Sequence, residues 1–314
     1  MKLTFLGTGA SWGVPELNCE CMICRDMRQR GENRQRTAFL IEGRSNVSGQ
    51  TIQNILIDCG PDIASQLSRH LVRRLDGVLI THEHGDHYIG LDELFSYKRT
   101  APQGEFTAIP VHMTRESWET IRTRFGYLEQ MEVIQVHDVM PKRLSSVAGF
   151  EVFPFKTDHG AFARGSVGYM IRNREESPLR IVYTSDFMGL PEIPEEILQP
   201  DVLILQCWRL NEPVKNTPHL MSFQRAMEFM KIFKPTREIF LVHMGDGDPV
   251  PGDPANAMAK KRESIDPLSP PGSSHPYPIP RNQKEWQSVV NQILSDYKLN
   301  FKCTVAYDGL TVNL

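Results

Sequence analysis

His82, His84, Asp86 and His87 crowd four nitrogen and oxygen ligands into six positions, His82-Glu83-His84-Gly85-Asp86-His87, directly after the apolar run Val78-Leu79-Ile80-Thr81. That places a dense donor set at the end of a strand, where a scaffold can aim it. His82 and His84 are two residues apart, so an extended backbone points them the same way. A helix would splay them, which excludes the His-Glu-x-x-His arrangement of helical zinc sites. Asp86 and His87 follow the flexible Gly85 and can turn toward a second metal.

One loop does not complete a metal site. Three later residues share its pattern of a ligand type just past a strand: His159 after Val152–Lys156, Asp186 after Ile181–Thr184, and His243 after Ile239–Val242. A second cluster, Cys19-Glu20-Cys21-Met22-Ile23-Cys24, has metal-ligand character. Cys59, Cys207 and Cys303 lie in apolar, strand-like surroundings and read as buried small hydrophobes.

The elements that must position these groups are legible from periodicity. Strands are expected at Leu3–Leu6, Thr37–Glu42, Asn54–Asp58, Val78–Thr81, Ile109–His112, Met131–Val136, Phe150–Phe155, Val167–Ile171, Arg180–Thr184, Val202–Leu205, Glu238–Val242, Lys302–Ala306 and Leu310–Val312. Helices are expected at Ile63–Val72, from Leu91, and at Ser117–Phe125, Ser222–Phe233 and Trp286–Leu294. Strands interleaved with helices indicate an α/β sandwich, one domain over 1–314 with two sheets inside and helices outside. Residues 245–280 hold nine of the 22 prolines, so neither a helix nor a central strand is expected there. This stretch leaves directly from His243 and reads either as a solvated loop or as a lid.

With 314 residues, 40% hydrophobic, 23% charged and a formal charge of −3, the composition is that of an ordinary soluble chain. No large basic excess marks a general nucleic-acid or membrane surface. No apolar stretch approaches 18 residues, and Met1–Leu6 is too short for a signal peptide. The cytoplasm is the expected compartment, which favours metal binding over disulfides for the crowded cysteines.

Taken together, Phe5-Leu6-Gly7-Thr8-Gly9, Leu56-Ile57-Asp58, His82–His87, His159, Asp186, His243 and Ala306-Tyr307-Asp308-Gly309 resemble the metallo-β-lactamase-fold hydrolases. The resemblance implies an αββα sandwich of two mixed sheets packed face to face. It implies that His82, His84 and His159 hold one metal and that Asp86, His87 and His243 hold another, with Asp186 bridging. Zinc, manganese or iron suits such a donor set. Two such ions hold a shared hydroxide as nucleophile and clamp the oxygens of an ester. Asp58 then resembles a carboxylate that orients ligands rather than binding metal.

The segment Gly9–Cys24 is similar to the start of the phosphonate-pathway cyclic phosphodiesterases (the PhnP type). In those proteins the three cysteines and a histidine hold a structural zinc. Here Asp246 occupies the histidine's position, with Asp248, His275 or water as alternative fourth ligands. The zinc loop is thus expected over 18–25. His219 resembles a histidine set near the scissile phosphate, where it would donate a proton to the leaving oxygen or stabilise developing charge. Arg34 and Arg36 read as phosphate contacts or as surface arginines. The implied substrate is a small, cyclic or acyclic phosphate ester, with nucleic acid limited to short or cyclic nucleotides, no membrane partner, and a homodimer. Two alternatives stay open. Pro61-Asp62-Ile63 and His243–Val250 also resemble the PqqB-type proteins of quinone-cofactor biosynthesis, and the ligand set is shared with tRNA 3′-processing endonucleases.

Overall fold

The computed structural model describes residues 1–44, 52–174, 178–214 and 221–314. The first sheet is built from β1 (Lys2–Gly7), β2 (Ala38–Arg44), β3 (Ile52–Ile57), β4 (Gly77–Leu79), β5 (Ile109–Met113) and β6 (Ile134–Asp138). The second comprises β7 (Ser145–Val147), β8 (Phe150–Lys156), β9 (Val167–Arg172), β10 (Arg180–Tyr183), β11 (Val202–Gln206), β12 (Glu238–Val242) and β13 (Cys303–Val305). β14 (Thr311–Asn313) returns to the first sheet, giving the orders β14-β1-β2-β3-β4-β5-β6 and β13-β12-β11-β10-β9-β8-β7. β3 through β6 pair in parallel, as do β10 through β13, so both sheets are mixed.

Strand alternation sorts the side chains into three apolar layers. Leu3, Phe5, Phe39, Ile41 and Ile57 from the first sheet meet Ile181, Tyr183, Val202, Ile204 and Phe240 from the second. The opposite faces, among them Leu203, Leu205 and Leu241, pack on α6 (Phe223–Phe233) and α7 (Gln283–Asp296). Leu40, Leu56, Val78 and Val111 pack on α2 (Ile63–Arg69) and α5 (Arg115–Gln130). The result is the expected sandwich, helices outside and sheets within.

Several elements depart from expectation. Half of the cysteine segment is helical: α1 (Met22–Arg30) starts at Cys21, whose Sγ accepts from Cys24 N, and ends at Gly31 in the left-handed region. Ile23, Cys24 and Met27 form its buried face, a pattern hidden by its arginines. The helix expected from Leu91 is a 3-10 turn, Ile89–Leu94, running into a short helix, α4 (Phe95–Thr100). α5 begins earlier than Ser117 because Thr114 caps it, accepting from Ser117 N. The strand expected from Met131 starts only at Ile134, since Met131 N still bonds Tyr127 O at the helix end. β7 was too short to show periodicity.

The proline-rich stretch carries neither α-helix nor strand, only a 3-10 turn at Pro254–Ala257. It is held down along its length. Asp253 accepts from Met22 N at 2.7 Å, Lys261 Nζ donates to the carbonyl of Asp248 at 2.9 Å, and Tyr277 and Leu268 are buried in the helix layer.

Chain closure depends on a polar knot beside β1. Asp308 accepts from Thr8 Oγ1 at 2.8 Å and from Gln35 N at 2.6 Å. Arg34, read as a phosphate contact or surface residue, is instead buried, donating to Thr8 Oγ1 and the Ala306 carbonyl. Arg36 pairs with Asp62 and reaches the carbonyl of Ser11. Burial pushes the Asp308 carboxyl up to about 6. A raised carboxyl means the folded state holds more protons than the unfolded one between pH of about 4 and 6, so stability is lost as pH rises through that window. Asp308→Asn removes the dependence. Its Tm relative to wild type should therefore improve between pH 4.5 and pH 7.5, and a pH-independent difference would refute the buried, raised carboxyl.

Candidate metal centres

The seven residues singled out by position converge. His82, His84 and His159 form one group of potential ligand atoms, and Asp86, His87, Asp186 and His243 form a second; within each group the atoms lie within 4.8 Å of one another. The groups adjoin. His82 and His87 rings are 4.1 Å apart by centroid, and Asp186 Oδ2 lies 2.9 Å from His243 Nε2 and 3.9 Å from His159 Nε2. Asp186 thus faces both.

Each candidate ligand sits just past a strand end: His82 and His84 after β4, with Asp86 and His87 on the short helix α3 (Gly85–Tyr88) that follows, His159 after β8, Asp186 after β10, His243 after β12. Three non-glycine residues turn the chain there with left-handed backbone, Asp58 (φ 61°), Ser185 (φ 60°) and His243 (φ 58°). Such conformations cost on the order of 1 kcal/mol or more and persist only where the surroundings impose them. Gly60 is needed for another reason, since a Cβ there would meet the Asp86 carbonyl oxygen at 2.1 Å.

Hydrogen bonds fix the tautomers of two of the rings, His82 and His87. Asp58, fully buried, accepts from Thr81 N and from Thr81 Oγ1. Thr81 Oγ1, spending its proton on Asp58, accepts from His82 Nδ1 at 3.0 Å. That leaves His82 Nε2 as a lone pair, and this buried atom has no hydrogen-bond partner. His87 Nδ1 donates to Asp58 Oδ2 at 2.8 Å, so its Nε2 is directed at Asp86 Oδ2 (3.2 Å) and Asp186 Oδ2 (3.5 Å). Asp58 therefore orients the ligand ring instead of joining the cluster.

A lone pair facing two carboxylates is repulsive unless a cation or proton lies between. Burial works against charging His87, yet Asp86, Asp58 and Asp186 hold it well above the ordinary histidine range. Burial likewise opposes ionisation of Asp86 and Asp186, yet the neighbouring histidines hold both carboxyls well below their usual range. His82 goes the other way, kept neutral by burial and by His87 and His159. Neutral imidazoles and ionised carboxylates are what a divalent cation takes as ligands. Buried Asp186 Oδ1 also lacks a hydrogen-bond partner. The residues fit bound cations.

The second cluster is separate and fully buried: Cys19, Cys21, Cys24 and Asp246. Asp246 Oδ2 lies 3.8, 3.4 and 3.0 Å from the three sulfurs. Zn–S bonds of about 2.3 Å and Zn–O bonds of about 2.0–2.2 Å imply tetrahedral edges of roughly 3.5 Å, so the set fits zinc. The hydrogen bond between Cys21 and Cys24 draws the Cys21 thiol below its usual range and pushes the Cys24 thiol above it. Of the alternative fourth ligands, Asp248 is turned to Leu210 N and Asn211 N, and His275 is exposed. Lys260, unanticipated from sequence, places Nζ 2.6 Å from Asp246 Oδ2 and pairs with Glu16. His219 lies outside the described residues. Cys59, Cys207 and Cys303 are buried free thiols.

A family model described as the beta-lactamase superfamily domain matches residues 53–244. A solved diphosphatase of the PhnP family aligns with 100% of this chain and 97% of its own at TM-score 0.69 and 20% identity. Zinc-bound PqqB from Methylobacterium extorquens aligns over 100% of both chains at TM-score 0.65 and 18% identity. Among curated sequences, an octanoyltransferase of Porphyromonas gingivalis is 34% identical over 166 residues, 51% of this chain and 31% of that protein. A ribonuclease Z of Pyrococcus abyssi is 27% identical over 186 residues, 56% of this chain and 49% of that protein. The chain thus spans half or less of the length of these two relatives. No helix among the described residues is long and apolar enough to cross a membrane.

Two substitutions separate the roles of the clusters. Asp86→Ala should abolish turnover and remove metal from the histidine cluster while leaving circular dichroism and Tm near wild type; near-normal activity would refute its ligand role. Cys21→Ser should lower Tm by at least about 5 °C, because structural zinc affinity is folding free energy. An unchanged melting curve would argue against a structural ion.

Proposed function

This chain belongs to the beta-lactamase superfamily, and we propose that within it the protein is a metal-dependent hydrolase of small phosphate diesters. The observation that carries the reading is the pair of adjoining clusters, three imidazoles beside two imidazoles and two carboxylates, with Asp186 facing both. Two divalent cations there would supply ionised water near neutral pH and polarise phosphoryl oxygens.

The chain's own residues do the rest. Asp58 and Thr81 fix the His87 and His82 rings, so that lone pairs need no reorientation when a cation arrives. Burial of His82, His159, Asp186 and His243 keeps bulk water from competing for those donors. Mixed nitrogen and oxygen donors accept zinc, manganese or iron. The cysteine cluster is proposed as a structural zinc site, since all four donors are buried and Asp246 closes the set.

Phosphoryl substrates are favoured over carboxylic esters by the whole-length fold match to a PhnP-family diphosphatase, and diesters among them by the resemblance of the cysteine-rich start to the cyclic phosphodiesterases. The ribonuclease Z similarity favours a second reading, cleavage of a polynucleotide diester. The net charge of −3 gives little long-range attraction for such a polyanion.

Purified protein with zinc or manganese restored should hydrolyse bis-p-nitrophenyl phosphate and 2′,3′-cyclic nucleotides. Protein inert on both overturns the proposal. Cleavage of a precursor tRNA in preference to the small esters would establish the nuclease reading, and bound redox-active iron with oxygen uptake would move the chain to oxidative chemistry.

A further inference from the structure

We propose that Glu83, the residue between two ligand histidines, is a positioning residue that clamps the His84 loop to the His159 loop through the N-terminus of α5. The inference rests on the reading of the histidines as metal ligands and adds how their spacing is held.

Glu83 is not turned into the cluster. Its Oε2 accepts from Ser117 Oγ at 2.8 Å, and its Oε1 accepts from Gly165 N at 3.2 Å. Thr114 Oγ1, at the cap of α5, donates to the Gly165 carbonyl at 2.9 Å. Three segments distant in sequence therefore meet at one carboxylate: the loop bearing His82, His84, Asp86 and His87, the start of α5, and the loop that follows His159. The junction is tight, since a Cβ on Gly165 would meet Ser117 Oγ at 2.1 Å and Thr114 Oγ1 at 2.4 Å. A negative side chain is also favoured beside a helix N-terminus.

The junction matters because His84 and His159 come from different sheets. Their ring nitrogens, His84 Nδ1 and His159 Nε2, lie 3.1 Å apart. Between the loops, Val167 N also bonds the Thr81 carbonyl at 3.0 Å, at the strand end of the His159 loop. Glu83 supplies the second tie, at Gly165. With both, the two loops cannot slide or splay, and the separation of the two imidazoles is set before any cation binds.

Zinc titration in competition with a chelator tests the clamp without needing substrate. Glu83→Ala should weaken one of the two histidine-cluster ions by about ten- to hundredfold, the range for losing a group that orients ligands. The other ion and the cysteine site should be unchanged. Glu83→Gln should restore binding, because its amide oxygen accepts from Gly165 N and its amide nitrogen donates to Ser117 Oγ. Ser117→Ala should give a smaller loss that adds nothing in the Glu83→Ala background.

Wild-type zinc affinity in Glu83→Ala overturns the clamp. So does a Glu83→Gln variant as weak as Glu83→Ala, which would make charge and not hydrogen bonding the cause. Uniform weakening of all sites would show general loosening and also overturn it. If Glu83→Ala does not fold, Ser117→Ala decides, and unchanged stepwise affinity there overturns the proposal. A wild-type protein that takes no zinc at the histidines defeats the metal reading itself, a distinct result.

Discussion

Buried carboxylates set the terms for this protein. Asp58 and Asp186 are inaccessible and Asp86 nearly so, and all three lie among imidazoles in the seam where the two sheets end. An ionised carboxylate removed from water costs several kcal/mol unless charge and hydrogen bonds meet it. Asp58 is met by Thr81 and His87. Asp86 and Asp186 face Nε2 of His87 and of His243, and the other nitrogen of His87 is already committed to Asp58, so positive charge between them is what balances the seam. Without cations, protons shared with His87 and His243 fill that role. The strained turns at Asp58, Ser185 and His243 are tolerated because the same seam requires them.

That constraint explains which parts of the site were legible in the sequence. The candidate ligands follow strand ends, and strands announce themselves by apolar runs, so His159, Asp186 and His243 could be placed by the same rule as His82–His87. Asp58 carried the same signature after β3. The sandwich was legible because both faces of each sheet are covered, giving continuous apolar runs such as Val202–Leu205, where Val202 and Ile204 enter one layer and Leu203 and Leu205 another.

What remained hidden depends on contacts between distant residues. Glu83 meets Gly165 across 82 positions and Lys260 meets Glu16 across 244, and no local pattern encodes either. A signal for the first did exist, the Thr114-x-x-Ser117 cap pattern after β5, but it marks a helix start and not what docks there. Arg34 looked like a surface or phosphate-binding arginine because its burial depends on Ala306 and Thr8 closing over it. Helix α1 escaped notice because its cysteines suggested an irregular loop, although Ile23 and Met27 have helical spacing.

The two candidate metal centres are mechanically joined. His243 and Asp246 are three residues apart, and the chain between them is pinned from three directions: Met244 N bonds the Thr8 carbonyl, the Met244 carbonyl accepts from Ala10 N, and Gly245 N bonds the Trp208 carbonyl. Trp208 lies so close that a Cβ on Gly245 would meet its indole nitrogen at 2.5 Å. Asp246 is then drawn to the three cysteines on and before α1. A short peptide fixed at both ends transmits displacement instead of absorbing it, because packed backbone has few alternative arrangements. An ion held by the cysteines and Asp246 would therefore also anchor His243, the ligand that closes the Asp86–Asp186 cluster. On this view the cysteine-rich start belongs to the architecture of the histidine cluster, although none of its sulfurs joins that cluster.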